Sequence, residues 1–170
     1  MFKIFYPNQW LDSTYIINFE KYYSNGYRGI IFDIDNTLVM HNAPADERAK
    51  ELFKKLHIIG FDTLILSNNK EPRVKSFADA VQSKYIYKAA KPSVKGYKKA
   101  MNIMKTDTSN TLFVGDQLFT DIWGANNAGI YTILVKPINP KEEIQIVLKR
   151  ILEKPILKSY QKHQNKNKTG

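Results

Sequence analysis

The 170-residue chain has no cysteine, which excludes disulfides and thiolate metal sites and fits a reducing cytosol. No apolar stretch approaches the ~20 residues needed to cross a bilayer. The amino-terminal Met1-Phe2-Lys3-Ile4-Phe5-Tyr6-Pro7 lacks the apolar core and small-residue cleavage site of a secretory signal. There is no internal repeat, and His41, His57 and His163 do not have metal-ligand spacing. Acids disappear after Glu153, where the only charged residues are Lys154, Lys158, Lys162, Lys166 and Lys168. Those five supply half of the net charge of +10. Such a basic balance favours anionic partners: RNA, acidic lipid headgroups or phosphorylated substrates.

The apolar (43%) and charged (25%) fractions are those of a soluble globular protein, and the length suits one domain with a real core. Strand-like runs alternate with helical patterns. Strands are expected at 29–33, 61–66, 85–87, 111–114 and 130–135. Helices are expected at 44–59, 71–82, 93–105 and 118–128, with a last one at 140–153. This alternation predicts βαβ units and a parallel sheet. Val94, Tyr97, Met101 and Met104 recur at helical spacing and read as core rather than as a ligand box. Residues 1–28, rich in aromatics, read as a helical lead-in. Residues 29–153 read as the α/β core with its carboxy-terminal helix, and 154–170 as a basic, disordered tail.

The chemistry is concentrated where strands are expected to end. The run Ile30-Ile31-Phe32 closes in Asp33 and Asp35, with Thr37 two residues on; Ser67 and Asn68, then Lys91, then Asp116 and Asp121 follow later strands. Open α/β sheets place ligands at the carboxyl ends of their strands, so these groups can converge. Paired carboxylates repel one another, and a cation would neutralise them. Asp33 is placed to attack phosphorus. Asp35 is near enough to protonate the leaving oxygen and later to activate water. Asp116 would complete a Mg²⁺ site of hard oxygen donors. Ser67 can donate to a phosphoryl oxygen, Lys91 can oppose the developing negative charge, and Asp121 can support Lys91 or the metal shell. An EF-hand fails because its sixth loop position, which must be glycine, is Leu38.

Four segments, Asp33-Ile34-Asp35-Asn36-Thr37, Leu66-Ser67-Asn68, Lys91-Pro92 and Gly115-Asp116-Gln117-Leu118-Phe119-Thr120-Asp121, resemble the four motifs of the haloacid dehalogenase (HAD) superfamily of phosphatases. The resemblance covers about residues 29–135. It implies an α/β, Rossmann-like core with a mainly parallel five-stranded sheet flanked by helices. It implies an aspartyl-phosphate intermediate on Asp33, with Mg²⁺ bound by Asp33, Asp116 and the backbone carbonyl of Asp35. It further implies phosphate contacts from Ser67 and Lys91; Thr37 and Asn68 are read with Ser67 as substrate-binding residues. The segments between the motifs hold about one helix and one strand each, so no cap domain fits. Together with the short length, the motif wording resembles the YqeG-like subfamily IIIA phosphatases, a group similar to phosphatidylglycerophosphate phosphatases of mitochondria and plastids.

That similarity implies a phosphorylated substrate, with an anionic phospholipid as one candidate. It also implies a cytoplasmic protein with peripheral contact at the inner membrane surface. The competing reading is an RNA- or ribosome-associated protein with secondary phosphatase activity, although no aromatic RNA-binding platform is evident. A receiver-domain reading is disfavoured because Ile34 interrupts the acid pair and a Gly-Asp motif follows the lysine.

Overall fold

A computed structural model describes residues 2–139 and 144–168. Six strands form one sheet: β1 (Gln9–Leu11), β2 (Gly29–Phe32), β3 (Asp62–Leu66), β4 (Lys84–Ile86), β5 (Thr111–Gly115) and β6 (Tyr131–Val135). Their order is β1-β6-β5-β2-β3-β4, and every pairing is parallel. The helices are α1 (Phe19–Ser24), α2 (Glu47–Ile59), α3 (Glu71–Ala80), α4 (Val94–Met104), α5 (Trp123–Asn127) and α6 (Ile144–Lys168).

Strand periodicity divides the core. In β2, Ile30 and Phe32 face one layer with Phe53, Leu56 and Phe77, while Ile31 faces the other with Tyr97, Met101 and Met104. Leu112 and Val114 of β5 join the first layer and Phe113 the second. A sheet covered on both faces needs apolar residues at successive positions, which is why its strands read as continuous runs. Asp46 caps α2, accepting from the Ala49 amide, and Gly60 ends it with φ 113°. Met101 and Met104 are buried in the core, as their spacing predicted.

The structure differs from the sequence expectation at both ends. The lead-in is mainly not helical. It contains the sixth strand, β1, which pairs with β6, and only one short α-helix, Phe19–Ser24. Three residues are too few for a period to show. Residues 154–168 are helical rather than disordered: α6 runs through Pro155 to Lys168. Proline removes one intrahelical bond, but Pro155 is exposed, whereas Ile156 and Tyr160 are buried. Ile156 joins Leu118, Ile122 and Leu134, and Phe5, Tyr6, Trp10 and Leu157 pack around them. Tertiary burial of this kind, not propensity, holds most protein helices. The expected helix start at 140–143 lies outside the described residues.

Candidate active site

From β2 the chain builds β3 and β4 on one side, then crosses to β5 and β6 on the other. The site lies at the carboxyl edge of this switch point, between β2 and β5. There the Asp33 amide donates to the Val114 carbonyl (3.0 Å), which carries the pairing one residue beyond β2.

Asp33, Asp116 and Asp121 are buried, and one carboxylate oxygen from each lies within 4.8 Å of the others. Lys91 is buried with them; its Nζ donates to Asp33 (2.7 Å) and to Asp121 (2.6 Å). The other Asp121 oxygen accepts from the Asp116 and Gln117 amides. This pins the π-helical turn Leu118–Ile122 that follows β5. A Cβ on Gly115 would lie 2.6 Å from that carboxylate, so the position needs glycine. A Cβ on Gly124 would lie 2.6 Å from the Tyr97 ring, whose hydroxyl donates to the Thr120 carbonyl (2.9 Å).

Burial is the main cause that pushes the Asp33 carboxyl up to about 7, against the opposing charge of Lys91. Burial also holds Asp116 well above the usual carboxylate range, although Arg150 opposes it. Burial works against the charge of Lys91, but Asp121 and Asp33 together raise it.

Asp35 lies at the rim. It accepts from Asn69 Nδ2 (2.6 Å), Arg73 (3.0 Å) and the Asn42 amide (2.8 Å), with His41 3.9 Å away. Ser67, Asn68 and Lys91 line the same cleft of ≈ 200 Å³, with Ile146 and Lys149 of α6 on its far wall. The clefts of ≈ 530 and ≈ 580 Å³ elsewhere on the surface have no carboxylate in their walls.

Thr37 and Asn68, expected to bind substrate, also hold other residues of the site. Thr37 is buried and donates to Asp116 Oδ1 (3.0 Å). Asn68 accepts from the Lys91 amide (2.8 Å) and donates to its carbonyl (3.2 Å), which fixes the backbone that presents the lysine. Asn36, at φ 61°, accepts from the Asn139 amide (3.3 Å) and so steadies the loop after β6. The contributions of Arg73 and α6 went unseen in the sequence. From α6, Arg150 holds the Asp116 carboxylate, and Glu153 accepts from the Leu118 amide (2.8 Å).

The donor set suits a divalent cation. Three buried acids face two cations, Lys91 and Arg150, and an incoming phosphate would add further negative charge. All the offered ligand atoms are oxygen, which a hard cation prefers.

The HAD-hydrolase-like family model matches residues 88–139. The chain is 36% identical over 156 residues to "Probable phosphatase YqeG" of Bacillus subtilis, covering 91% of each chain. It is 27% identical over 161 residues to an Arabidopsis thaliana phosphatidylglycerophosphate phosphatase, covering 85% of this chain and 44% of that one. A crystal structure of an uncharacterized Listeria monocytogenes protein shares the fold, with a TM-score of 0.54 at 19% identity over 69% of this chain and 86% of that one. Fold, motif order and full-length similarity agree: the chain belongs to the HAD superfamily of phosphatases, in the family of YqeG.

Proposed function

We propose that the chain is a Mg²⁺-dependent phosphomonoester hydrolase that works through a phosphoryl group carried on Asp33. The observation that carries this reading is the buried junction of Asp33, Lys91 and Asp121 beside Asp116 at the switch point of the sheet. Asp33 attacks the phosphorus atom and the ester oxygen leaves. Asp35, on the rim of the same cleft, gives that oxygen a proton and then takes one from the water that hydrolyses the acyl phosphate. Lys91 meets the negative charge on the transferring group, and Ser67 donates to one of its oxygens. Asp33, Asp116 and the backbone carbonyl of Asp35 would hold Mg²⁺, which when bound supplies charge neutralisation and polarisation of the phosphoryl oxygens.

A lipid phosphate is the substrate class we favour. The similarity to a phosphatidylglycerophosphate phosphatase supports it. So do the basic surface and the open cleft, since the segments between the site residues build only the sheet and its flanking helices. We place the protein in the cytoplasm, at the inner face of the membrane. The alternative of an RNA- or ribosome-associated protein draws no support from the relatives above.

The test is phosphate release, with and without Mg²⁺, from p-nitrophenyl phosphate, phosphatidylglycerophosphate in mixed micelles, nucleotides and sugar phosphates. Wild type is compared with Asp33→Asn. Preference for the lipid, abolished in Asp33→Asn, supports both parts of the reading. Asp33-dependent release from soluble esters alone keeps the phosphatase and removes the lipid. A tenth of wild-type activity surviving in Asp33→Asn rules out the nucleophile.

A further inference from the structure

Helix α6 has two opposite faces. The inward stripe runs Ile146, Arg150, Glu153, Leu157, Tyr160, and its contacts are with the site and the lead-in: Arg150 with Asp116, Glu153 with the Leu118 amide, Tyr160 with the Tyr6 ring. The outward stripe runs Leu148, Ile151, Pro155, Lys158, Lys162. Its first two turns are exposed aliphatic surface: Leu148 is 58% exposed and Ile151 53%, flanked by Leu152 at 63% and Val147 at 38%. Past Pro155 the same stripe turns basic at Lys158 and Lys162, with Lys154 alongside. The helix has one acid, Glu153, and it is buried on the inward side.

We propose that this outward face of α6 docks the protein on an anionic lipid bilayer, with the aliphatic turns entering the headgroup boundary beside the cleft and the lysines resting on acidic headgroups. Both halves of the face are complementary to that one partner, which offers hydrocarbon and negative charge in a single surface. The same face of a second copy of this chain would bring the same lysines and no acid to meet them. The contact is peripheral, because among the described residues no helix is long and apolar enough to cross a membrane.

The position of the face gives the docking a purpose. Ile146 and Lys149 line the cleft with Asp33 and Asp35, while Val147 and Leu148, between them in sequence, are exposed. Seating these turns at the boundary brings the mouth of the cleft to the depth of a lipid headgroup. The choice of a bilayer-borne phosphomonoester rests on the phosphatase reading above; the docking itself does not.

The test is co-sedimentation of the full chain with vesicles of phosphatidylglycerol and phosphatidylcholine, against pure phosphatidylcholine. The expected result is binding to the anionic vesicles alone. Leu148→Gln/Ile151→Gln should weaken it about tenfold or more. Lys158→Gln/Lys162→Gln should weaken it and flatten its salt dependence. Both variants should hydrolyse p-nitrophenyl phosphate in solution at a rate within about twofold of wild type, which shows that fold and site are intact. The proposal is overturned if wild type binds neither vesicle, or if Leu148→Gln/Ile151→Gln binds as wild type does. It is also overturned if sedimentation shows a dimer that this variant dissolves while vesicles are ignored. Vesicle binding in the expected pattern without any phosphatase activity would keep the docking and sink the phosphatase reading. Hydrolysis without vesicle binding would do the reverse.

Discussion

Arg150 and Asp116 lie 34 residues apart, one on α6 and the other just after β5, yet the guanidinium sits directly on the buried carboxylate. Thr37 takes the other Asp116 oxygen, so the orientation of this carboxylate is set from two sides. A partner that orients a ligating carboxylate typically changes metal affinity by about 10- to 100-fold when removed. Arg150→Ala should therefore raise the Mg²⁺ concentration needed for half-maximal phosphatase activity by about tenfold or more. A metal titration that superimposes on wild type would separate α6 from the metal centre.

Asp33 should make metal-free stability depend on pH. Its folded value, raised to about 7 first of all by burial, exceeds the ordinary aspartate value of about 4. Below both values the carboxyl is protonated in either state. As pH rises through the window between them the unfolded chain ionises first, so stability is lost. A bound cation favours the ionised carboxylate, so stabilisation by Mg²⁺ should grow across the same window. Thermal melts with and without Mg²⁺ at about pH 5 and about pH 7.5 test this. The Mg²⁺-induced rise in Tm should be larger at the higher pH and smaller in Asp33→Asn; equal rises at both pH values would contradict it.

Asp35 owes its place to Asn69 and Arg73. In the proposed mechanism Asp35 transfers the protons, and displacing such a group by about 1 Å can cost on the order of 10²-fold in rate. Arg73→Ala should lower kcat for p-nitrophenyl phosphate by about tenfold or more, with KM within about twofold, because Arg73 does not line the cleft. An unchanged kcat would show that Asp35 is held well enough without it.

Removing residues 155–170 should cost stability. Ile156 and Tyr160 are buried, Tyr6 and Ser159 share a hydrogen bond of 2.6 Å, and the Tyr6 and Tyr160 rings meet edge to face at 5.5 Å. Losing two buried side chains should lower unfolding stability by about 3 kcal/mol or more. It should also loosen the turn that Glu153 caps, and reduce hydrolysis even of a small soluble ester. A urea midpoint and activity equal to wild type would mean that this stretch of α6 is dispensable.

The sheet edge that carries the candidate site was legible in the sequence because an apolar run that gives way to polar residues carries both the strand and its orientation. Asp33, Ser67, Lys91 and Asp116 each follow such a run, and a parallel sheet leaves them one common edge. Arg73 and Arg150 were not legible. Their partners lie 38 and 34 residues away, and a helix period tells which face is covered but not by what. The bonds that Thr37 makes to Asp116 and Asn68 to the Lys91 backbone were not legible for a related reason: a polar side chain near the site can serve a ligand, the residues that hold it, or both, and spacing does not separate these. Past Pro155 a breaker and a lysine- and asparagine-rich composition read as coil. The available signal was Ile156 and Tyr160 four residues apart, one turn of buried face continued across the proline.

Strand β1 lies at the sheet edge against β6. Asn8, just before β1, accepts from the amide of Thr132, 124 residues further along. On the ribosome, the segment that becomes β1 emerges long before the strand it must join. Until β6 follows, Trp10 and Leu11 have no sheet to enter. The central strands β2 and β3 can pair first, since a single helix links them. Pairing of β1 with β6 therefore has to wait until most of the described chain has been made. Pairings of such long sequence separation are slow to form and leave edges open meanwhile. A nascent chain stalled before residue 131 would display those apolar residues to chaperones and to its neighbours.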